Sequence, residues 1–422
     1  MSPVRAVACT LAAFAASACA ISGAPAARTS TAPTVDAVTV TDAVLPGVEV
    51  MLRDSLHLLQ GKRVGLLTNP SGRDRAGHST IDLLYHAPGV RLTALFGPEH
   101  GLRGVAQAGV AVASAVDSAT GIPIYSLFGA IHVPTPEMLD KVDVLVYDIQ
   151  DVGARIYTFE WTMVLAAEAA GKAGKPFIVL DRPDPIRADR VEGNVLDPAF
   201  HSLVGEYPVA MRYGLTPGEL LRYLVGTGLV HANVTVIPMQ GYRRSMWFED
   251  TRIPWVTPSP NLRDMTAIIL YPGTVFFEGT NVSEGRGTDR PFRVIGAPFL
   301  TDAGAIAREL NALRLSGVRF DSTSRTIEPG FKFAGQTIPM IEVMVTDREL
   351  IHPVEVGARL LNAIHTHHRK EWQWRMPQID RLAGSDALRA AVDAGNVDTL
   401  VTRWNAEAAS FAQRRTPYLL YR

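Results

Sequence analysis

Residues 143–183, "DVLVYDIQDVGARIYTFEWTMVLAAEAAGKAGKPFIVLDRP", predict a complete strand–helix–strand unit. The two short apolar runs at 143–150 and 176–183 are typical of buried strands. Residues 157–174 between them are long enough for a helix and end in a glycine. Because parallel strands need a long crossover connection, a strand–helix–strand unit favours parallel pairing. Such strands belong to sheets that are covered by helices on both faces.

The same alternation extends in both directions along the chain. Further strands are predicted at 63–69, 90–97 and 233–239, with helices at 79–87, 134–142 and 216–228. The rhythm breaks near residue 250 in the proline-rich stretch "DTRIPWVTPSPNLRD", and a loop rich in Gly, Thr and Asn is predicted at 271–292. The sequence therefore predicts an α/β fold. A parallel sheet domain covers residues 46–265, a smaller α+β domain covers 266–422, and the cleft between them is the expected active site.

The first 45 residues predict export from the cytoplasm. Residues 1–19 place an Arg before an apolar run at Ala6–Ala16, which is typical of a signal peptide and too short to span a bilayer as a helix. Residues 20–45 have the composition of a linker. The letters "ASAC" ending at Cys19 resemble a lipobox, so membrane attachment through an acylated Cys19 is the alternative to a soluble secreted form. Both predict a periplasmic or cell-envelope location.

Composition excludes several classes of protein. The chain has 422 residues and a formal net charge of −1, so it lacks the basic footprint of a nucleic-acid-binding protein. Its two cysteines, Cys9 and Cys19, both lie in the predicted signal, which leaves no disulfide or zinc-thiolate site for the rest of the chain. The stretch "TNPSGRDRAG" after the first strand lacks G-x-G-x-x-G, and no P-loop motif occurs. No cofactor and no resident metal are therefore predicted.

Polar residues follow four successive strands of the predicted sheet. These are Asn69 after the first strand, Glu99 and His100 after the second, Asp148, Gln150 and Asp151 after the third, with Arg155 and Tyr157 close behind, and Asp181 and Arg182 after the fourth. Because the carboxyl ends of parallel strands meet at one edge, these side chains predict a ligand site there. The stretch "FGPEHGLRG" (96–104) is the most specific of them, since a small glycine-bounded loop does not need a Glu–His pair to fold.

Carboxyl groups at this edge suit the cleavage of glycosidic bonds, in which one carboxyl protonates the leaving oxygen. Glu99 fits that role by position, and Glu278 and Glu284 of the long loop are candidates to face it across the cleft. Two alternatives stay open. A metal-dependent hydrolase would use Glu99, His100 and acids of the third strand end as ligands, although only one His is among them and no H-E-x-x-H motif occurs. An exported two-lobed sugar- or muropeptide-binding protein would also gather polar groups around a cleft.

Six motifs in the same order resemble the exo-β-N-acetylmuramidase family of peptidoglycan hexosaminidases, formerly a domain of unknown function. They are "FGPEHGLRG", "VLVYDIQDVGARIYTF", "VLDRPDP…VEGNVLD", "PSPNL", "FEGTNVSEGRGTDRPF" and the terminal "YLLY". The resemblance runs from about residue 46 to the C-terminus. It implies a Rossmann-like domain joined to a smaller auxiliary domain. It also implies release of N-acetylmuramic acid from the non-reducing end of peptidoglycan fragments, which are the expected partners.

The resemblance also implies roles for individual residues. Glu99 is the main catalytic candidate, and the second catalytic group is open among Asp148, Asp151, Glu192 and Glu284, of which we select Asp151 and Glu284. The candidate substrate-binding residues are Asn69, His100, Arg103, Gln150, Arg155, Tyr157, Asn281 and Arg286. The lactyl carboxylate of the substrate requires a cation, ideally an Arg, so Arg103, Arg155 and Arg286 are its candidate partners.

Retaining, inverting and substrate-assisted mechanisms all remain open from the sequence, because the separation of the two carboxyl groups decides among them. Two positions depart from the family pattern. Glu160 in "TFEWTM" stands where an uncharged residue is expected, and Asp184 in "DRPDP" stands where Asn is usual.

Overall fold

A seven-stranded sheet organises the first half of the chain and a three-stranded sheet the second half. In the computed structural model of the protein, the described residues are 43–102, 110 and 113–422. The strands are β1 (Arg63–Thr68), β2 (Arg91–Gly97), β3 (Ala115–Val116), β4 (Pro123–Ser126), β5 (Val144–Asp148), β6 (Phe177–Leu180), β7 (Glu192–Val195), β8 (Ala210–Arg212), β9 (Val234–Ile237), β10 (Val294–Gly296), β11 (Val318–Thr326) and β12 (Thr337–Val345). The α-helices are α1 (Gly47–Val50), α2 (Thr80–Tyr85), α3 (Pro136–Leu139), α4 (Thr158–Lys172), α5 (Pro217–Gly226), α6 (Met265–Thr274), α7 (Ala303–Ala312), α8 (Pro353–His367), α9 (Gln378–Ala383), α10 (Ala387–Asp393) and α11 (Val397–Arg415).

The large sheet has the order β3-β4-β2-β1-β5-β6-β9. Its strands pair in parallel except for β3, which runs antiparallel to β4 at the edge. The chain moves outward from β1 to β2 and β4 and then returns to the other side of β1 with β5. The carboxyl ends of β1 and β5 therefore flank a topological switch point, where ligands bind in open α/β sheets. The predicted Rossmann-like parallel sheet is confirmed.

Both faces of this sheet are buried, which explains why its strands are continuously apolar. Alternate residues of β5 belong to different cores, since Val144 and Val146 pack on one face while Leu145 and Tyr147 pack on the other. Helix α4 covers the second of these faces and contributes eight buried residues to the larger core. Burial of this apolar surface on two sides holds the strand ends of the sheet in fixed positions.

The second half of the chain builds an antiparallel sheet, β10-β12-β11, together with helices α6 to α11. The predicted loop at 271–292 is wrong at its start, because residues 271–274 complete α6 and Pro272 lies inside that helix. Close packing of α6 on α8 overrides the local sequence signal. A side chain at Gly273 would collide with the backbone carbonyl of Pro353, so only glycine permits this approach.

The C-terminal residues return to the first domain and fasten the two lobes together. The Tyr421 hydroxyl donates to Asp181 Oδ2 over 2.6 Å, and the backbone N–H of Leu420 donates to Glu219 Oε1 over 2.8 Å. Arg415, at the end of α11, donates to the Ala188 carbonyl over 2.9 Å. These contacts give the terminal "YLLY" motif a structural role, because they fix the orientation of one lobe against the other.

The predicted signal peptide and lipobox lie outside the described residues, as does most of the predicted linker. Its last part is ordered, since Val44 is buried and its backbone N–H donates to the Thr251 carbonyl over 3.0 Å. Within the ranges given above, no helix is both long enough and apolar enough to cross a membrane.

Candidate active site

A cavity of about 320 Å³ lies between the two lobes. Its lining from the first lobe is Glu99, His100, Phe128, Ile156, Tyr157, Thr158, Leu203, Val204 and Ser259. Its lining from the second lobe is Tyr271, Val275, Glu278, Arg286, Gln378 and Leu382. The cavity therefore combines a carboxyl group from each lobe, one cation, and apolar walls, which is the composition of a site for a small polar ligand.

The turn after β2 delivers Glu99 to this cavity. The backbone N–H of Gly101 donates to the Pro98 carbonyl over 2.9 Å, which closes a tight turn. His100 and Gly101 both adopt the left-handed backbone conformation, with φ of 67° and 73°. A histidine in this region is uncommon and is found mostly at turns and functional sites. The turn leaves the Glu99 side chain only 9% exposed, at the cavity wall.

Helix α4 holds the Glu99 carboxyl in place. The Thr158 hydroxyl, in the first turn of α4, donates to Glu99 Oε2 over 2.7 Å. This hydrogen bond holds the carboxyl at the N-terminal end of a 15-residue helix. Glu99 and Thr158 both lie in motifs that resemble the family, but only their packing shows that Thr158 orients Glu99.

We expect the substitution Thr158→Val to lower kcat on a muramic acid glycoside about 10-fold, the equivalent of roughly 1.4 kcal/mol for the loss of the hydrogen bond that orients Glu99. Because Val keeps nearly the shape of Thr at the cavity wall, KM should change much less. Thr162→Val is the matched control, since Thr162 lies one turn along α4 and its hydroxyl donates only to the Thr158 carbonyl. Equal kcat values for the two variants would contradict the orienting role.

Aromatic rings connect the lobes along one wall of the cavity. Tyr157 of the first lobe packs edge-on against Tyr271 of the second with ring centroids 6.2 Å apart, and Tyr271 packs against Phe292 at 4.8 Å. Arg286 lies over the Phe292 ring at 5.0 Å. Among the described residues, the Tyr157 hydroxyl has no hydrogen-bond partner although it is buried. A bound ligand would satisfy it, which supports the prediction that Tyr157 contacts substrate.

The opposite lobe carries a compact cluster of four charges. Arg286 Nη2 lies 2.8 Å from Glu278 Oε1, and Arg286 Nη1 lies 3.5 Å from Glu284 Oε1. Lys332 Nζ donates to Glu284 Oε2 over 3.0 Å. Burial raises the pKa of Glu278 although Arg286 opposes the shift, whereas the Lys332 and Arg286 charges outweigh burial and lower the pKa of Glu284. The two acids therefore differ. Glu278 lines the cavity, and Glu284 lies behind it in the ion-pair cluster.

A second group of acids is buried in the first lobe, away from the cavity lining. Asp151, Glu160 and Asp184 come from the loop after β5, from α4, and from the loop after β6. Burial and their mutual repulsion raise the pKa of Glu160 well above its ordinary value and that of Asp184 to about 7. Asp151 Oδ2 accepts from the Gly153 backbone N–H over 2.9 Å and from the Tyr213 hydroxyl. Glu160 and Asp184, the two positions that depart from the family pattern, thus pack around Asp151, and their raised pKa values favour the protonated forms.

Several predicted site residues hold the fold and do not line the cavity. Asn69 Oδ1 accepts from the Ser71 backbone N–H over 2.9 Å, and Gln150 Nε2 donates to the Pro183 carbonyl over 2.7 Å. Arg155 is fully buried, and its guanidinium donates to the carbonyls of Asn194 and Ala383, each over 2.8 Å. Because Ala383 belongs to α9, Arg155 ties the two lobes together.

Other polar strand ends and loop residues bind each other as well. Asp148 is buried and accepts from Arg182 Nη2 over 2.9 Å. Asn281 exchanges hydrogen bonds with the backbone of the loop after α8, donating to the Glu371 carbonyl over 2.8 Å. Arg103 lies outside the described residues. Of the eleven candidate site residues predicted from the sequence, the cavity lining brings together Glu99, His100, Tyr157 and Arg286. The substrate or catalytic roles of the others stay predictions, and the described ones among them do not line the cavity.

Sequence reasoning missed several lining residues. Thr158 and Ser259 lie inside the quoted motifs "VLVYDIQDVGARIYTF" and "PSPNL", so a signal was present, although nothing in the residue type separated them from their neighbours. Gln378, in α9, belongs to no recognised motif and enters the cavity only through the packing of the second lobe. Among the described residues, no group of three or more His, Cys, Asp or Glu side chains could hold a metal ion.

The fold and the site define a two-domain α/β glycoside hydrolase with carboxyl groups facing an interlobe cavity. Two family models described as exo-β-N-acetylmuramidase NamZ match the chain, the N-terminal one over residues 64–266 and the C-terminal one over 269–421. The chain therefore belongs to the exo-β-N-acetylmuramidase NamZ family.

Relatives agree with this assignment in sequence and in structure. The peptidoglycan β-N-acetylmuramidase NamZ of Bacillus subtilis is 42% identical over 381 residues, which cover 90% of this chain and 91% of the relative. Two crystal structures of DUF1343 family proteins from Bacteroides fragilis are similar over 90% of this chain and 99% of theirs. One has a TM-score of 0.84 at 34% identity, and the other a TM-score of 0.71 at 31% identity.

Proposed function

We propose that this protein is an exo-acting glycoside hydrolase that releases N-acetylmuramic acid from the non-reducing end of peptidoglycan fragments, with Glu99 as the general acid. The name and the 42% identity of the Bacillus subtilis relative support the substrate. The observation that carries the proposal is the placement of Glu99 on the wall of the interlobe cavity.

The size of the cavity supports exo-action. At about 320 Å³, it is at the small end of ligand pockets, which hold roughly 300–1,000 Å³. A space of this size accommodates one terminal sugar. The apolar side chains of Leu203, Val204 and Leu382 provide contact surface for the acetyl and lactyl methyl groups of that sugar.

Two polar groups of the cavity match two parts of the substrate, the glycosidic oxygen and the lactyl carboxylate. The hydrogen bond from Thr158 fixes the Glu99 carboxyl, which then donates its proton to the glycosidic oxygen as the bond breaks. Arg286 is the cationic side chain among the described lining residues, so it is our choice for the lactyl carboxylate. Its stacking on Phe292 fixes the plane of the guanidinium for such a contact.

The location of the substrate agrees with export. Peptidoglycan lies outside the cytoplasmic membrane, and residues 1–19 have the composition of a signal peptide. We therefore propose a periplasmic or cell-envelope location. Acylation at Cys19 would add a membrane anchor, and a Cys19→Ala variant that stays in the membrane fraction would rule that anchor out.

The direct test is release of free sugar from a disaccharide with N-acetylmuramic acid at its non-reducing end. We expect free N-acetylmuramic acid from it, no product from the disaccharide of reversed order, and an unchanged rate after treatment with EDTA. Tight binding of the disaccharide without release would favour the binding-protein alternative. Loss of the rate with EDTA, restored by added Zn²⁺ or Mg²⁺, would favour the metal hydrolase.

A further inference from the structure

The cavity is lined by two carboxyl groups from different lobes, Glu99 and Glu278. Glu278 follows α6 in the 3₁₀ turn Val275–Gly279 and reaches the cavity next to Val275. The other acids considered as second catalytic groups lie elsewhere. Asp151 is buried against Tyr213, Asp148 is paired with Arg182, and Glu192 is paired with Arg212.

We propose that Glu278 is the second catalytic carboxyl, and that it accepts the hydrogen bond of the substrate's 2-acetamido N–H. This inference rests on the proposed function. The contact between Glu278 and Arg286 is the reason to assign Glu278 to the acetamido group and not to the activation of a water molecule. In N-acetylmuramic acid, the acetamido group at C2 and the lactyl ether at C3 are neighbours. The guanidinium and the carboxylate are also neighbours, 2.8 Å apart, so the pair matches the two substituents at once.

The step balances without a further reactant. As Glu99 gives its proton to the leaving oxygen, the C1–O bond breaks and the acetamido oxygen bonds to C1, while Glu278 takes up the developing N–H proton. Water then adds to C1 and transfers its proton to the Glu99 carboxylate, and the N–H proton returns as the five-membered ring opens. Glu99 thus acts as acid and then as base, while Glu278 acts only on the acetamido group.

The surroundings of Glu278 suit this role. Its ion pair with Arg286 holds the carboxylate form and its direction, and its side chain is 20% exposed. Burial raises its pKa, and a carboxylate with a raised pKa is a stronger base than an exposed one. Glu284 lacks this combination, because Lys332 and Arg286 both lower its pKa and it does not line the cavity.

The test compares Glu278→Gln with Glu99→Gln on two glycosides of N-acetylmuramic acid, one with a sugar and one with 4-nitrophenol as leaving group. We expect Glu278→Gln to lower kcat at least 100-fold on both, because attack by the acetamido group accompanies departure of either leaving group. Glu342→Gln is the matched control. Glu342 is a largely buried carboxylate paired with Arg290 in the same lobe, away from the cavity.

Two further measurements keep the proposal falsifiable if Glu278→Gln folds poorly. The thiazoline analogue of N-acetylmuramic acid, which resembles the cyclised intermediate, should bind the wild type at least 10-fold more tightly than Glu278→Asp. A trifluoroacetamido substrate should react at least 100-fold more slowly with the wild type. A Glu278→Gln variant with more than half the wild-type kcat, or an equal loss in Glu284→Gln, would overturn the inference. Absence of any sugar release by the wild type would instead defeat the proposed function.

Discussion

Replacement of Glu99 by Gln is expected to lower kcat 10²- to 10⁴-fold on a disaccharide substrate, which is the range for loss of a general acid. Gln has nearly the same shape and keeps an oxygen that can accept from the Thr158 hydroxyl, so the cavity should stay intact. It has no proton to give to the leaving oxygen. The loss in kcat/KM, which reports bond breaking and not hydrolysis of the intermediate, should be much smaller for a 4-nitrophenyl glycoside, whose leaving group needs no proton.

The exposed Glu137 offers the control for this variant, since Glu137→Gln removes a carboxyl from the same lobe without approaching the cavity. Rates are measured by release of free N-acetylmuramic acid, and folding is checked by the melting temperature. If Glu99→Gln keeps near-full turnover on the disaccharide, Glu99 is not the acid. An equal loss on both leaving groups would assign Glu99 to a step other than protonation.

The second large effect concerns stability. Asp184 is fully buried, and burial together with the nearby Asp151 charge raises its pKa to about 7. In the unfolded chain its pKa is about 4. The folded state therefore binds this proton more tightly, and the stability that depends on it is complete below pH 4 and is lost as the pH rises from about 4 to about 7. Above pH 7 the penalty reaches its limit, at most about 4 kcal/mol for a shift of about three units.

Asp184→Asn should remove that penalty. The Asn side-chain oxygen can still accept from the Ile186 backbone N–H, as Asp184 Oδ1 does over 3.0 Å, and its amide adds a donor beside Asp151. We expect the variant to match the wild type near pH 4 and to exceed it by up to about 4 kcal/mol in free energy of unfolding at pH 8. Denaturant titrations at pH 4, 6 and 8 measure this difference. Asp140→Asn serves as the exposed control, and parallel pH profiles for Asp184→Asn and wild type would contradict the prediction.

The polar residues that follow the strands in the sequence form only part of the cavity in the tertiary structure. Those residues include Glu99 and His100, which line the cavity because β2 ends at the carboxyl edge of the sheet and a tight turn at 98–101 follows it. The others include Asn69, Gln150 and Arg155, whose side chains form hydrogen bonds with backbone groups. A polar residue at a strand end either binds a ligand or satisfies the backbone groups that the end of the strand leaves unpaired. Sequence letters do not distinguish these two uses.

By itself the sequence determined the parallel sheet, because apolar periodicity and turn residues act locally. It predicted Glu99 as the leading acid from its position after β2 and from the family resemblance. The tertiary structure decided which acid of the second lobe faces Glu99. The loop at 271–292 presents Glu278 and Glu284 six residues apart, and the sequence treats them alike. Only the packing of α6 on α8, with the return of the C-terminal residues to the first lobe, directs Glu278 into the cavity and leaves Glu284 behind it with Lys332. That choice depends on contacts between residues far apart in the chain, which local patterns do not encode.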